Sequence, residues 1–363
     1  EPVTIRENEV AITEKAFAEG YIKPLPPKNR SGKRVAVIGS GPAGLAAADL
    51  LNRAGHLVTL FEKDEKAGGI LRFGIPDFKL SKTVIDRRID LMILEGLEVR
   101  TGVNIGKDIP FGEIMVKYDA VCLAIGSGYP RDLNVEGREF EGIYFAMDFL
   151  TAQNRLNAGL SGEPDRRKNA EGKKVLVIGG GDTGSDCVGT AIRQRAAGIT
   201  QIEILPKPPV ERTPDNPWPY YGKILKTSTS HEEGCERLWG VSTLRFVGDG
   251  IITRGAEIEE VKWESVNGRY RMTAVPGTRR VIEADLILLA LGFLHPVTAG
   301  FTYGSGIELD NRQNIKVSDN QCTNLPGVFA AGDAVSGASL VVNAIASGRK
   351  SAMEIDKFLR KND

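Results

Sequence analysis

Two passages carry the chemistry that this sequence offers. KRVAVIGSGPAG (33–44) places Gly39, Gly41 and Gly44 at GxGxxG spacing, and KKVLVIGGGDTG (173–184) places Gly179, Gly181 and Gly184 the same way, with Gly180 as an extra. Each follows a β-branched strand and opens a helix. In such a turn the first glycine permits a tight bend, the second lets a pyrophosphate touch backbone, and the third lets the helix pack on the strand. Phosphates bound there meet free N–H groups and roughly half a positive charge at the helix N-terminus. Seven of the twelve positions are identical, so the repeat is a duplication on the scale of a domain, and two nucleotides are expected.

The residues after each turn separate the two copies. Glu62 ends the strand that follows the first turn, where an acid accepts hydrogen bonds from a ribose diol. Gly68 and Gly69 in EKDEKAGGILRFGIP suit a flavin, whose longer pyrophosphate and ribityl chain run across this loop. Ala124 and Gly126 end another strand, small enough for the chain to cross a bound cofactor. Gly332 and Asp333 end a further one, with Asp333 placed to hold a ribityl hydroxyl and the helix opening at Ala338, Ser339 and Leu340 placed to face the electron-rich N1/O2 edge of the flavin. With the flanking Pro42, Ala43, Lys63, Ile70, Arg72, Val103 and Ile125, these form the candidate FAD set. In the second copy the corresponding strand end falls near Leu205 and Pro206, followed by Lys207 and Arg212. A cation there attracts a 2′-phosphate, which favours NADP(H) over NAD(H). Asp182 and Thr183 at the helix start, and Gly292 in LLALGF, complete the candidate NADP set.

The elements that must position these residues read as βαβ units. Short apolar runs (RVAVIG, LVTLFEK, EVRTG, AVCLAIG, then KVLVIGG and IEILPK) alternate with amphipathic segments, the pattern of parallel sheets. Residues 242–292 read as antiparallel strands, with a hairpin turn at Asn267-Gly268. Ahead of the first strand, residues 1–32 form a leader with a helix around EVAITEKAFAEG and the Pro-rich link IKPLPPKNRSG. The final helix lies in ASLVVNAIASGRKSAMEIDKFL.

At 363 residues the chain has room for two domains. Lys plus Arg and Asp plus Glu are 47 each, so there is no electrostatic case for nucleic acid or an anionic membrane surface. The longest apolar runs, such as LILLALGFL (286–294), fall short of the roughly 20 residues a membrane span needs. The start at Glu1-Pro2 shows no signal peptide. Cys122, Cys187, Cys235 and Cys322 stand apart without CxxC spacing and read as reduced thiols of a cytoplasmic protein. His231 and Cys235 share i, i+4 spacing, but no further metal ligand is near. His231 reads instead as structural, within a capping box made by Ser230 and Glu233.

The chain resembles the small (beta) subunit of bacterial NADPH-dependent glutamate synthase and the wider group of two-nucleotide flavoproteins. EPVTIRENEVAI, GGILRFGIPDFKL, FAMDFLTAQN, VIGGGDTGSDCVGTA, TSTSHEEG and LLALGF carry the resemblance, which spans essentially all residues. It implies an α/β fold of two Rossmann-like domains, with the NADP domain inserted in a split FAD domain, as in glutathione and thioredoxin reductases. The implied boundaries are a leader at 1–32, FAD-binding segments at 33–128 and 294–363, and an NADP(H)-binding domain at 129–293. It also implies hydride transfer from NADPH to FAD and onward electron flow to iron–sulfur clusters. A large (alpha) subunit then makes glutamate. Family members hold those clusters in a cysteine-rich N-terminal domain, of which residues 1–32 resemble a remnant; none of the four cysteines here matches a cluster ligand. No acid–base residue is required for the hydride step, so none is named as catalytic.

Nucleotide motifs do not encode the final acceptor. Ferredoxin-type and pyrimidine-reducing enzymes of the same group, and a non-catalytic FAD/NADPH-binding assembly or sensor subunit, therefore stay open. A disulfide reductase would need a CxxC near the flavin, and the sequence has none.

Overall fold

A computed structural model describes residues 4–160, 165–220, 222–266, 269–299 and 305–361. The chain divides into two compact units. The first comprises Glu1–Arg72, Ser81–Tyr129 and Leu294–Asp363, and the second Phe73–Leu80 and Pro130–Phe293.

In the first unit the chain runs α1 (Ile5–Ala18), β1 (Arg34–Ile38), α2 (Pro42–Arg53), β2 (Leu57–Phe61), α3 (Ile70–Phe73), α4 (Lys82–Leu94), β3 (Glu98–Arg100), α5 (Phe111–Lys117) and β4 (Ala120–Leu123). A short β5 (Tyr129–Pro130) follows where the chain leaves for the second unit. In that unit come β6 (Ile143–Phe145), α6 (Ala146–Asn157), β7 (Lys174–Ile178), α7 (Asp182–Arg193), β8 (Gly198–Glu203), α8 (Thr229–Glu232) and β9 (Glu236–Trp239). Then follow β10 (Val241–Gly248), β11 (Thr253–Val266), β12 (Arg269–Ala274), β13 (Arg280–Glu283) and β14 (Leu286–Leu289). β15 (Phe293–His295) lies at the return, and β16 (Val328–Ala330), α9 (Asp333–Ser336) and α10 (Val341–Lys361) finish the first unit.

Each unit is built on a five-stranded parallel sheet, ordered β16-β4-β1-β2-β3 in the first and β6-β14-β7-β8-β9 in the second. The strand order reverses beside the strand that leads into each glycine turn, between β1 and β4 and between β7 and β14. Ligands bind outside the carboxyl ends of parallel strands at such a switch point. The strands are continuous apolar runs because both faces are covered. Val35 and Val37 enter one core with Leu51, Leu60 and Ile355, while Ala36 and Ile38 enter another with Phe61 and Leu123. In the second unit Val175 and Val177 pack with Phe149 and Val188, and Leu176 and Ile178 with Phe246 and Ile258. A second, antiparallel sheet orders β10-β11-β12 with β13 on β11. The expected Asn267-Gly268 turn lies outside the described residues, though the strands flanking it pair antiparallel from Val261↔Ala274 to Val266↔Arg269.

Two segments behave in ways that periodicity does not foretell. Helix α1 buries none of its residues, yet the leader's arm is held firmly to the first unit. Arg30 donates to Asn52 Oδ1 (2.7 Å) and to the carbonyls of His56 and Glu95 (2.8 Å each), and the Leu25 N–H donates to Glu95 Oε1 at 3.1 Å. Residues 73–80, between two pieces of the first unit in sequence, belong to the second. Asn154 Nδ2 donates to the carbonyls of Phe73 (2.9 Å) and Ile75 (3.2 Å), and Lys79 Nζ lies 2.5 Å from a carboxylate oxygen of Asp186. The Arg193 guanidinium sits 3.7 Å above the Phe78 ring.

Helices α2 and α10 pack closely because Gly348 presents no side chain to α2. A Cβ there would lie 2.1 Å from the Ala43 carbonyl oxygen, a backbone atom that cannot swing away. Gly348→Ala is therefore expected to lower stability by about 1–3 kcal/mol, read as a lower urea midpoint. Gly112→Ala, whose Cβ would have nothing within 4 Å, should stay within about 1 kcal/mol of the parent.

Candidate dinucleotide-binding sites

The first turn is made by close approach. Gly39, at φ +99°, donates its N–H to the Phe61 carbonyl at 2.8 Å, and a Cβ on it would lie 2.4 Å from the Ala124 carbonyl oxygen. Gly44 in α2 passes so near that its Cβ would lie 1.8 Å from the Gly39 oxygen. Between them Gly41 caps α2 with φ −66° and ψ −177°, and a Cβ there would meet nothing within 4 Å. Neither strain nor packing within the chain demands glycine at 41. Glycine there leaves room against the helix N-terminus, the geometry that a bound phosphate uses.

The second turn repeats this geometry. Gly179, at φ +123°, donates to the Ile202 carbonyl at 2.8 Å, and its Cβ would lie 2.2 Å from the Ala290 oxygen. A Cβ on Gly184 would lie 2.2 Å from the Gly179 oxygen, and one on Gly181 (φ −80°, ψ −173°) would again meet nothing within 4 Å. Asp182 and Thr183 open α7 beside it. The strand ends beyond the switch points match as well. Ala124 and Ala290 donate N–H bonds to Ile38 and Ile178 at 2.8 Å each, and Gly126 (φ +70°) and Gly292 (φ +82°) follow two residues later. Both turns therefore fit a dinucleotide.

The strand end after the second turn needs correction. The sequence pattern places it near Leu205 and Pro206, with cations and no acid, but β8 ends at Glu203. Glu62 accepts from the N–H groups of Ser40 (3.1 Å) and Asp64 (3.0 Å); Glu203 accepts from those of Gly180 (2.7 Å) and Leu205 (2.9 Å). The two acids are structural counterparts. Counting 23 residues from Gly39 finds Glu62, and 24 from Gly179 finds Glu203, so the spacing could have shown it. Lys207 is exposed, its Nζ 5.1 Å from the Trp239 ring centroid. Arg212 is also exposed and donates to the carbonyls of Asn216 (3.3 Å) and Tyr220 (2.8 Å) in its own loop.

Around the first turn, Gly69 lies against Gly41, its Cβ position 2.8 Å from the Gly41 Cα. The Ser40 hydroxyl joins two pieces of the site: it donates to Glu62 and accepts from the Gly68 N–H at 2.8 Å. Ser40 was missed because the x position of GxGxxG carries no sequence signal. Val103 donates its N–H to the Glu62 carbonyl at 2.9 Å, while Lys63 and Ile70 are exposed. Arg72 is buried, its guanidinium spent on the Ala67 carbonyl and the Asp86 carboxylate, so it shapes the loop. Pro42 and Ala43 begin α2, and Ile125 sits between Ala124 and Gly126. Gly332 (φ +70°) caps α9 and donates to Ser347 Oγ at 2.9 Å. Asp333, first in α9, accepts from Ser339 Oγ at 2.9 Å, and burial pushes its carboxyl above the usual aspartate range. Ala338, Ser339 and Leu340 are exposed immediately before α10.

His231 is structural, though by another arrangement than the one expected. Ser228 is the N-cap of α8, and the capping box pairs Ser228 with His231; Ser230 and Glu233 do not form it. The Ser228 N–H donates to His231 Nδ1 at 3.2 Å, His231 Nε2 donates to Gln201 Oε1 at 2.8 Å, and Gln201 Nε2 donates to the Gly179 carbonyl at 2.8 Å. The imidazole thus reaches the glycine turn through one amide. The four cysteines are free, and among the described residues no cluster of His, Cys, Asp and Glu fits a metal. No helix among them is long and apolar enough to cross a membrane.

Burial, then the Arg237 and Lys79 charges, push His231 down to about 4. An unfolded histidine titrates near 6.5 and so takes up a proton first as pH falls. The contribution of neutral His231 is therefore complete above about pH 6.5 and is lost as pH falls towards 4. Urea midpoints should drop more between pH 7 and pH 5 for the parent than for His231→Gln.

A family model described as pyridine nucleotide-disulphide oxidoreductase matches residues 33–348. The glutamate synthase [NADPH] small chain of Mycobacterium tuberculosis is 46% identical over 362 residues, covering 99% of this chain and 73% of that one. The glutamate synthase [NADH] of Saccharomyces cerevisiae is 43% identical over 370 residues, covering 99% of this chain and 17% of that one. Among solved structures, FprA of Mycobacterium tuberculosis in complex with NADPH matches with a TM-score of 0.70 at 17% identity, over 91% of this chain and 85% of that one. That likeness shows a shared fold, and in this chain the second unit interrupts the first in sequence. The chain belongs to the pyridine nucleotide-disulphide oxidoreductase family and, within it, to the glutamate synthase small chains.

Proposed function

We propose that this chain is the electron-input subunit of a glutamate synthase, an NADPH-dependent flavoprotein oxidoreductase that passes electrons to a large subunit. The observation that carries this reading is the pair of turns in which Gly41 and Gly181 keep a helix N-terminus open to a phosphate, within a chain 46% identical to a glutamate synthase small chain. FAD occupies the first turn. There Gly41 and the α2 N–H groups take the pyrophosphate, Glu62 takes the adenosine ribose, the 68–69 loop lies along the chain of the cofactor, and Asp333 takes a ribityl hydroxyl. NADP(H) occupies the second, with Gly181, Asp182 and Thr183 at the lip and Lys207 and Arg212 drawn to the 2′-phosphate. When bound, FAD supplies acceptance of a hydride and release of single electrons.

The protein's share is to hold and orient both nucleotides; no acid or base is assigned. A large subunit that makes glutamate from 2-oxoglutarate and glutamine-derived ammonia is the proposed partner, with iron–sulfur clusters as intermediaries. The free thiols suit a reducing cytoplasm.

Mixing FAD-loaded protein with NADPH without oxygen should bleach the visible flavin band rapidly; a flavin that stays oxidised overturns the reading. Lys207→Ala and Arg212→Ala should weaken NADPH binding more than NADH binding, by about 1–3 kcal/mol. Equal losses for both nucleotides would exclude these residues as the phosphate contacts.

A further inference from the structure

The second unit holds an acid at the place that decides between the two nicotinamide nucleotides. In the first sheet β1 and β2 pair with Ile38 opposite Phe61, and Glu62 is the next residue; in the second, β7 and β8 pair with Ile178 opposite Ile202, and Glu203 is next. Each carboxylate is fixed by two backbone N–H groups, one from the glycine turn and one from two residues beyond the acid. Gly180 makes room for this: a Cβ there would lie 2.7 Å from Glu203 Oε2. Glu203 is also more open than Glu62, which is only 5% exposed.

A carboxylate accepts hydrogen bonds but donates none. Toward the two O–H groups of a ribose diol it is an ideal acceptor. Toward a 2′-phosphate it presents like charge, at a spot where a cation would otherwise serve. The cations expected to serve lie further on: Lys207 is beside Trp239, and Arg212 gives hydrogen bonds to two carbonyls of its own loop.

We infer that Glu203 is a specificity-determining residue that receives the adenosine ribose hydroxyls in the second site, and that this chain accordingly takes NADH alongside NADPH. The inference rests on reading the 173–205 segment as the nicotinamide nucleotide site. Glu203 holds the diol and offsets the pull of the outlying cations on a 2′-phosphate, so neither nucleotide is strongly excluded.

The test titrates FAD-loaded protein with NAD⁺ and with NADP⁺ by calorimetry, which reads binding without turnover. The parent protein should bind NAD⁺ within about tenfold of NADP⁺, a difference of one decade in Kd. Glu203→Gln keeps the side chain's shape and an oxygen for a backbone N–H, and should move the ratio of the two affinities at least about tenfold towards NADP⁺. NAD⁺ binding too weak to detect in the parent, or a ratio that Glu203→Gln leaves unchanged, overturns the inference while leaving the oxidoreductase reading intact. Failure of both nucleotides to bind would overturn the site itself. If Glu203→Gln does not fold, the ratio measured on the parent decides alone.

Discussion

The structure depends on how near a helix must come to a strand for its N-terminus to point at open space. The glycines at 44 and 184 bring α2 and α7 so close that a Cβ would lie 1.8 and 2.2 Å from the carbonyl oxygens of Gly39 and Gly179. The glycines at 39 and 179 tuck the turn against the next strand, at Ala124 and Ala290. The first N–H groups of any helix have no partner inside it, and this packing aims them past the strand ends as a ready anion site whose dipole favours phosphate. Parallel sheets follow from the same demand, since they gather strand ends, and therefore glycine turns, at one edge.

Duplication supplied two such turns, and their surroundings set them apart. In the first, the Ser40 hydroxyl ties Glu62 to the loop at Gly68, and Gly69 presses on Gly41, so the 68–69 loop is fixed against the turn. In the second, Gly180 replaces the serine, the acid is more open, and the glycine turn is braced from behind by Gln201 and His231. The network behind the second turn reaches as far as Lys79, which contacts both Ser185 and Asp186 and so anchors residues 73–80 in that unit.

What could be read from the sequence was what glycine and apolar runs encode. The two turns, their parallel sheets and the small residues at Ala124 and Gly126 follow from local rules of backbone space and strand patterning. The role of Ser40 could not be read, because it arises from a hydroxyl meeting a loop 28 residues away. Nor could the capping partner of His231, since two serines compete for the cap in TSTSHEEG and only tertiary contacts with Ser185 and Gln201 favour Ser228. Glu203 is legible in the spacing, but Lys207 and Arg212 just beyond it offer a competing signal for the other nucleotide. Strand register, which places it next after the partner of Ile178, is what identifies it. The transfer of 73–80 to the second unit rests on Asn154, Lys79 and Phe78, whose partners lie from about 80 to over 100 residues away, a separation that no local pattern reports.

Gly41 and Gly181 are the two positions where only the proposed ligand calls for glycine. Both have extended backbone angles open to any residue, and neither has a protein atom near a Cβ position. The direct measurement is nucleotide content and binding in Gly41→Val and Gly181→Val, with urea midpoints as the check on folding. The exchange of an N-cap glycine should cost each variant about 1 kcal/mol of stability, with loss of FAD alone from Gly41→Val and loss of nicotinamide nucleotide binding alone from Gly181→Val. Retention of both nucleotides by either variant, or an exchange of the two losses, would contradict this reading.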